Sequence, residues 1–208
     1  MQYCSVPETS PGLRERKRQL TQRAIQRAVL TLAAERGFAQ VTIEEVSRVA
    51  DIAPRTFFNY FATKEAALLG NVPLEPSAAA AERFVAGGPH GELFVDFGEL
   101  MVDQFSGSLI DRELLQLRHA VFKESPHLAK LHFATMRNLE ERFAELIRAR
   151  IAEHRPAVEA DAVLLSNIAS ATMRSAFMSW SRADDGSSLE EWIRRSFSSV
   201  CRVVDEYR

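Results

Sequence analysis

The chain is poor in the groups that catalysis and metal chemistry use. Its 208 residues include two cysteines, Cys4 and Cys201, near opposite ends. No C-x-x-C pair or Cys/His cluster is present, which argues against zinc and redox roles. His127 and His132 stand five positions apart and share no helix face well, so no metal ligand set is expected. No nucleophile–base pair, paired carboxylates or phosphate-cradling loop stands out, so the reading is a non-enzyme without a cofactor. No window approaches the roughly 18 uninterrupted apolar residues of a membrane helix. The N-terminus lacks a charged-then-apolar leader pattern, and a reduced cytoplasm is the expected compartment. No alternating strand pattern of useful length occurs, and the expected fold class is all-α.

What is present is an ordinary globular composition, 46% hydrophobic and 26% charged, with charge of one sign collected at one end. The formal net charge of -2 conceals ten Lys/Arg against five acids in residues 12–64. Residues 65–208 carry 16 bases against 22 acids. A positive lobe on a negative body is the electrostatic footprint of a nucleic-acid binder with a second, differently employed domain.

Residues 1–12, with Pro7, Pro11 and Gly12, read as a tail. A helix follows from about Leu13 to Arg36, with Ile25, Val29, Leu32 and Ala33 on one buried stripe. Gly37 suits a helix C-cap, and Phe38 can fold back on the last turn. Thr42-Ile43-Glu44-Glu45 is a capping box that starts the next helix. Ile43, Val46 and Val49 are expected to face inward from it. Asp51-Ile52-Ala53 forms a turn with Ile52 as its buried plug, and Pro54 opens a third helix. Phe57 and Phe61, four apart, face the core against Ile25, Val29 and Val46. Arg55 and Asn59 share an outward face, beside Thr56 and Tyr60. Thr63 caps a fourth helix from Lys64.

That sequence of helix, turn and helix is the layout of a unit that reads a DNA major groove. Arg and Asn are suited to bidentate contacts with guanine and adenine edges. Thr and Tyr hydroxyls suit phosphate oxygens. Thr42 and Lys64 lie at helix starts, where free N–H groups favour phosphate.

Residues 14–69 resemble the DNA-binding domain of the TetR (tetracycline-repressor-like) transcriptional regulators. The resemblance runs through R-E-R-K-R-Q-L-T-Q-R-A-I, L-A-A-E-R-G-F-A-Q-V-T-I-E-E-V and T-F-F-N-Y-F-A-T-K-E-A-A-L-L. It implies that Thr56, Phe58, Asn59, Tyr60 and Lys64 fall on positions that touch DNA. Beside them, Arg14, Arg16, Lys17 and Arg18 can follow the phosphate backbone or enter an adjacent minor groove. Four positions depart from the family pattern. Asp51 replaces a turn Gly, and tolerates left-handed backbone better than most residues. Ala53 replaces a Ser or Thr cap, a loss of about 1 kcal/mol that Pro54 partly offsets. Arg55 replaces a common Gly, so its base-reading role comes from its chemistry alone. Phe58 replaces a common Tyr and removes a hydroxyl.

Beyond the motif, helical patterns run over Ser77–Ala86, Glu92–Ser106, Asp111–Glu124, Pro126–Glu153, Pro156–Arg182 and Leu189–Glu206, with Ser188 and Glu191 as a second capping box. The expected organisation is a tail (1–12), a three-helix helix-turn-helix DNA-binding domain (13–70) and a helical ligand-binding and dimerisation domain (71–208). The resemblance implies a small-molecule site in the last of these. Phe94, Phe97, Met101, Phe105, Phe122, Phe133, Met136, Met173 and Phe177 are candidates for an apolar cavity, or for plain core. Arg118 and Arg174 offer a guanidinium to an anionic head group, or to surface ion pairs. Leu164, Ile168, Met178, Trp192, Ile193, Phe197, Val200 and Val204 would build a four-helix bundle with a second copy, unless they pack within the subunit. The function so read is a repressor that binds a palindromic double-stranded DNA operator as a homodimer and is released by a small hydrophobic effector. The alternative is a DNA-binding factor without small-molecule control.

Overall fold

A computed structural model describes residues 13–70, 76–106, 110–154 and 159–206. The described residues form α1 (Leu13–Arg36), α2 (Ile43–Val49), α3 (Pro54–Phe58), α4 (Lys64–Leu69), α5 (Ala78–Val85), α6 (Leu93–Phe105), α7 (Arg112–Glu124), α8 (Pro126–His154), α9 (Glu159–Arg182) and α10 (Leu189–Glu206). Among them there is no strand, as the all-α reading requires. No helix among the described residues is long and apolar enough to cross a membrane. The expected tail at 1–12 and the expected helix start at Pro156 lie outside the described residues.

The helices form two compact units, one of α1–α4 with α7, the other of α5, α6 and α8–α10. In the first, α1 is the hub and contacts α2, α4 and α7. Its stripe is buried as spaced: Ile25 and Val29 are wholly inaccessible, with Leu32 and Ala33 beside them. Gly37 adopts φ 85°, which a side chain would resist, and turns the chain into a short 3₁₀ turn at Phe38–Gln40 that buries Phe38. The sequence pattern did not announce that turn.

α2 opens with the expected capping box. The Thr42 hydroxyl accepts from the Glu45 N–H at 3.3 Å, and the Thr42 N–H donates to Glu45 Oε2 at 3.3 Å. It closes in a Schellman motif. The Ile52 N–H reaches the Ser47 carbonyl at 2.9 Å and the Asp51 N–H the Arg48 carbonyl at 3.4 Å, with Asp51 at φ 54°. Asp51 therefore fills the left-handed position expected of it. Two inward assignments are corrected. Val49 is 49% exposed, and Ile52 is half-buried rather than a sealed plug. Val49 lies on the solvent side of the last turn, so Val46 alone of these reaches full burial.

The second unit is built on an aromatic cluster. Phe97 meets Phe84 at 5.6 Å, Phe143 at 5.0 Å and Phe197 at 5.7 Å between ring centroids. The first two pairs are edge-on, the geometry that ring quadrupoles favour. Gly98 lets α10 approach α6, because a Cβ there would sit 3.1 Å from that of Phe197. Ile193 and Phe197, read as dimer contacts, are instead 0% and 1% exposed within the subunit. The amphipathic face of α10 is used inside the unit before any second copy is met.

A buried ion pair fixes the loop between α5 and α6. Arg150 of α8 donates to Asp96 Oδ2 at 2.7 Å and to the Phe84 carbonyl at 3.0 Å. Asp96 also accepts from the His90 N–H at 2.7 Å and the Gly91 N–H at 3.1 Å. Both charges are almost wholly buried, and each is hydrogen-bonded more than once, the condition under which such a pair is tolerated.

Candidate nucleic-acid interface

α3 has five residues, shorter than a helix that carries both Phe57 and Phe61 on one face. Asn59 is its C-cap, and the Phe61 N–H still reaches the Phe57 carbonyl at 3.0 Å, so the turn carries the chain one step further. Ala53 provides no side-chain cap, and Pro54 takes the first turn, as read. Phe57 is wholly buried and Phe61 nearly so. These two rings anchor the segment and set which residues face out.

Arg55 and Asn59 are exposed, and Thr56 and Tyr60 are half-buried. Among the described residues none of these four side chains has a hydrogen-bond or ion-pair partner. A polar row presented to solvent with its donors and acceptors unused is what a base- and phosphate-contacting surface requires before DNA arrives. Phe58 stands beside the row at 56% exposure.

The cations of α1, α2 and α3 divide into committed and free. Arg23 and Arg27 of α1 pair with Asp111, Arg27 at 2.8 Å, and Arg27 also meets Glu113 at 2.6 Å. Arg36 pairs with Glu45 at 2.8 Å, and Arg18 with Glu15 at 3.3 Å. Thr42, then Arg36, hold the Glu45 carboxyl below the usual carboxylate range. Arg14, Arg16, Lys17, Arg48 and Arg55 have no partner among the described residues. The positive end of the chain is thus focused on α1's first turns, α2 and α3. Arg48, exposed on α2, had been counted only in the charge balance. Its position on the first helix of the pair, which crosses the DNA backbone in such units, makes it a phosphate candidate.

Two residues placed at helix starts are already engaged. The Lys64 ammonium donates to the carbonyls of Phe38 at 3.2 Å and Val41 at 2.9 Å, and lies 4.6 Å from the centre of the Phe38 ring. One of its three N–H donors is left for an external anion. The Thr42 hydroxyl is held by Glu45, to which it donates at 2.9 Å.

The candidates for an apolar ligand cavity fall on both units and differ in burial. Phe97 and Met101 are wholly buried in packed core, and Phe105 meets Phe177 edge-on at 5.3 Å. Met173 is 7% exposed, Phe133 is 63% exposed, and Phe94 and Met136 are half-buried. Phe122 and Arg118 lie on α7 of the first unit, whereas the other candidates belong to the second. Arg118 donates from Nε to the Leu68 carbonyl at 2.9 Å, capping the end of α4, and burial pushes its guanidinium down to about 10. Arg174 pairs with Glu140 at 3.4 Å. The second unit has a cleft of about 320 Å³ lined by Ala80, Phe84, Pro89, Leu100 and Val102 with Arg83, Asp96, Glu99 and Asp103. None of the candidates lines it.

A capped helix, a left-handed turn and a short helix with buried aromatics behind and unpaired polar groups in front define a helix-turn-helix DNA-binding module. Residues 25–69 match the model of the bacterial regulatory proteins of the tetR family. The HTH-type transcriptional regulator TcmR of Streptomyces glaucescens is 30% identical over 150 residues, 67% of this chain. The chain covers 64% of that relative's length. Among solved structures, a TetR-family transcriptional regulator of Mesorhizobium loti is 17% identical, covers 90% of this chain and 98% of its own, and has a TM-score of 0.46. The reduced form of E. coli NemR is 18% identical, covers 88% and 96%, and scores 0.44. Structural likeness at that level adds nothing to the assignment, which rests on the family match and the curated relative. Residues 25–69 form a DNA-binding domain of the tetR family of bacterial regulatory proteins.

Proposed function

We propose that the chain is a transcriptional repressor that binds a palindromic double-stranded DNA operator as a homodimer and is released by a small hydrophobic effector. One observation carries the DNA reading: Arg55, Thr56, Asn59 and Tyr60 have no partner among the described residues and stand on a segment that Phe57 and Phe61 anchor from behind. In this reading Arg55 and Asn59 contact base edges, and Thr56 and Tyr60 contact phosphates. Arg14, Arg16, Lys17 and Arg48 follow the backbone, with Arg18, Thr42 and Lys64 in lesser roles because their polar groups are shared. The homodimer is supported by apolar side chains left on the two final helices. Val163 and Leu164 of α9 and Val203 and Val204 of α10 are each at least half exposed. A second copy would bring two recognition segments to half-sites about 34–36 Å apart, or a multiple of that spacing.

The effector would bind the second unit, and its differential affinity for two arrangements of the dimer would set the response. The packed state of Phe97, Met101 and their ring neighbours favours a second reading, in which DNA binding has no small-molecule control. Thermal melts against lipophilic compounds separate the two. Ligand-dependent stabilisation follows mass action in the first case and is absent in the second.

The DNA reading is tested by selecting sites from a random duplex library with the full-length protein. A palindromic consensus whose affinity falls steeply with salt is expected. Failure to enrich any sequence, or a flat salt response, would overturn it.

A further inference from the structure

Phe58 is the one residue of the recognition row that can neither give nor take a hydrogen bond. At 56% exposure it forgoes much of the roughly 1.5–3 kcal/mol that burying a phenyl ring yields. Phe57 and Phe61 take the buried face, and the turn of the helix leaves Phe58 outside it. The outer ring is nevertheless braced: it meets Phe57 edge-on, 5.5 Å between centroids at 82°. Arg55, three residues earlier, lies on the neighbouring strip of the helix surface, and the C-cap Asn59 lies beyond Arg55 on the same outward side. Both are exposed, with no partner among the described residues.

A flat apolar group exposed beside a guanidinium, with an amide further round the same outward side, matches one feature of a DNA major groove. The thymine C5-methyl is the only apolar group that base pairs present there, and it sits among the oxygen and nitrogen atoms that Arg and Asn would engage. Phosphate contact is excluded for Phe58 because the ring has no donor.

We propose that Phe58 is a specificity-determining residue that reads a thymine methyl in each operator half-site, next to the bases contacted by Arg55 and Asn59. This rests on the DNA reading above and adds to it a required base and the group on that base that is sensed.

The test uses the full-length protein and its selected consensus duplex. A thymine invariant in each half-site is expected. Replacing it with deoxyuridine removes the methyl and leaves the pairing edge unchanged. Wild-type affinity should fall about fourfold per half-site, the value of one buried methyl-sized group. Phe58→Ala should bind the thymine duplex more weakly and lose the difference between the two duplexes, while Phe58→Leu keeps part of it. Equal wild-type affinity for the two duplexes overturns the proposal and leaves DNA binding intact, as does a methyl preference that survives in Phe58→Ala. No selected sequence at all removes the DNA reading and this proposal together. Because the side chain is exposed, unchanged melting of both variants is expected, and a folding defect in Phe58→Ala leaves the wild-type thymine–deoxyuridine comparison to decide.

Discussion

The two units handle charge in opposite ways. In the second, Arg150 and Asp96 are sealed from water and give up most of their hydrogen-bonding capacity to each other and to the loop at 84–91. In the first, Arg55, Asn59, Arg14, Arg16 and Lys17 are exposed and have no partner among the described residues. Buried, satisfied charge organises a core; exposed, unsatisfied charge is available to a partner. The contrast separates residues whose loss should unfold the protein from residues whose loss should only weaken binding.

The largest expected effect lies in the second unit. Arg150→Met leaves Asp96 buried without its counter-charge and should destabilise the protein by about 3–5 kcal/mol in denaturant melts. Arg150→Met with Asp96→Leu should recover part of that loss. A single variant as stable as wild type would show that the ion pair does not organise the loop.

A smaller effect is expected where the first unit also uses ion pairs. Asp111 caps α7, accepting from the Glu113 N–H at 2.9 Å, and joins α7 to α1 through Arg23 and Arg27. Asp111→Ala should cost about 1–3 kcal/mol, from the lost cap and partly exposed pairs. Burial raises the Asp111 carboxyl, but the hydrogen bond and charge of Arg23, with the Glu113 N–H and Arg27, outweigh it and leave the group below the ordinary aspartate value of 3.8. A carboxyl with a lower value folded than unfolded binds fewer protons in the native state. Its stabilisation is complete above about pH 4 and is lost as pH falls through the folded value. The wild type should therefore lose its stability margin over Asp111→Ala at acid pH. A margin that is constant with pH would remove the carboxylate from the account.

The smallest effect belongs to the free cations. Arg48→Ala should leave melting unchanged, weaken binding to all sequences alike, and reduce the salt slope by about 1. A change in sequence preference would instead make Arg48 a base reader.

The elements set by neighbours in the chain were legible in the sequence. The boxes at Thr42 and Ser188 need only a residue three positions on, and both are present, the second with the Ser188 N–H 2.9 Å from Glu191. Asp51 and Pro54 mark their turn and helix start by backbone preference alone. Features set by distant residues were not legible. The docking of α7 on α1 depends on Asp111 meeting Arg23 across 88 positions. An apolar periodicity on α10 says that a face is buried, not whether α6 or a second copy buries it, and so the sequence left open which of them covers Ile193 and Phe197. The Lys64 ammonium reads from sequence as surface charge because its carbonyl partners lie 23 and 26 positions back. Within the candidate interface, the i, i+4 spacing of Phe57 and Phe61 correctly gave the buried face, whereas the early end of α3 at Phe58 carries no local signal.

The most direct measurement is operator affinity of Arg55→Ala/Asn59→Ala beside its melting temperature. The expected result is a loss of about 2–6 kcal/mol in binding, from two bidentate base contacts, with melting unchanged. Wild-type affinity for the selected duplex in that double variant would contradict the account, because the unpaired row on α3 would then not be what meets DNA.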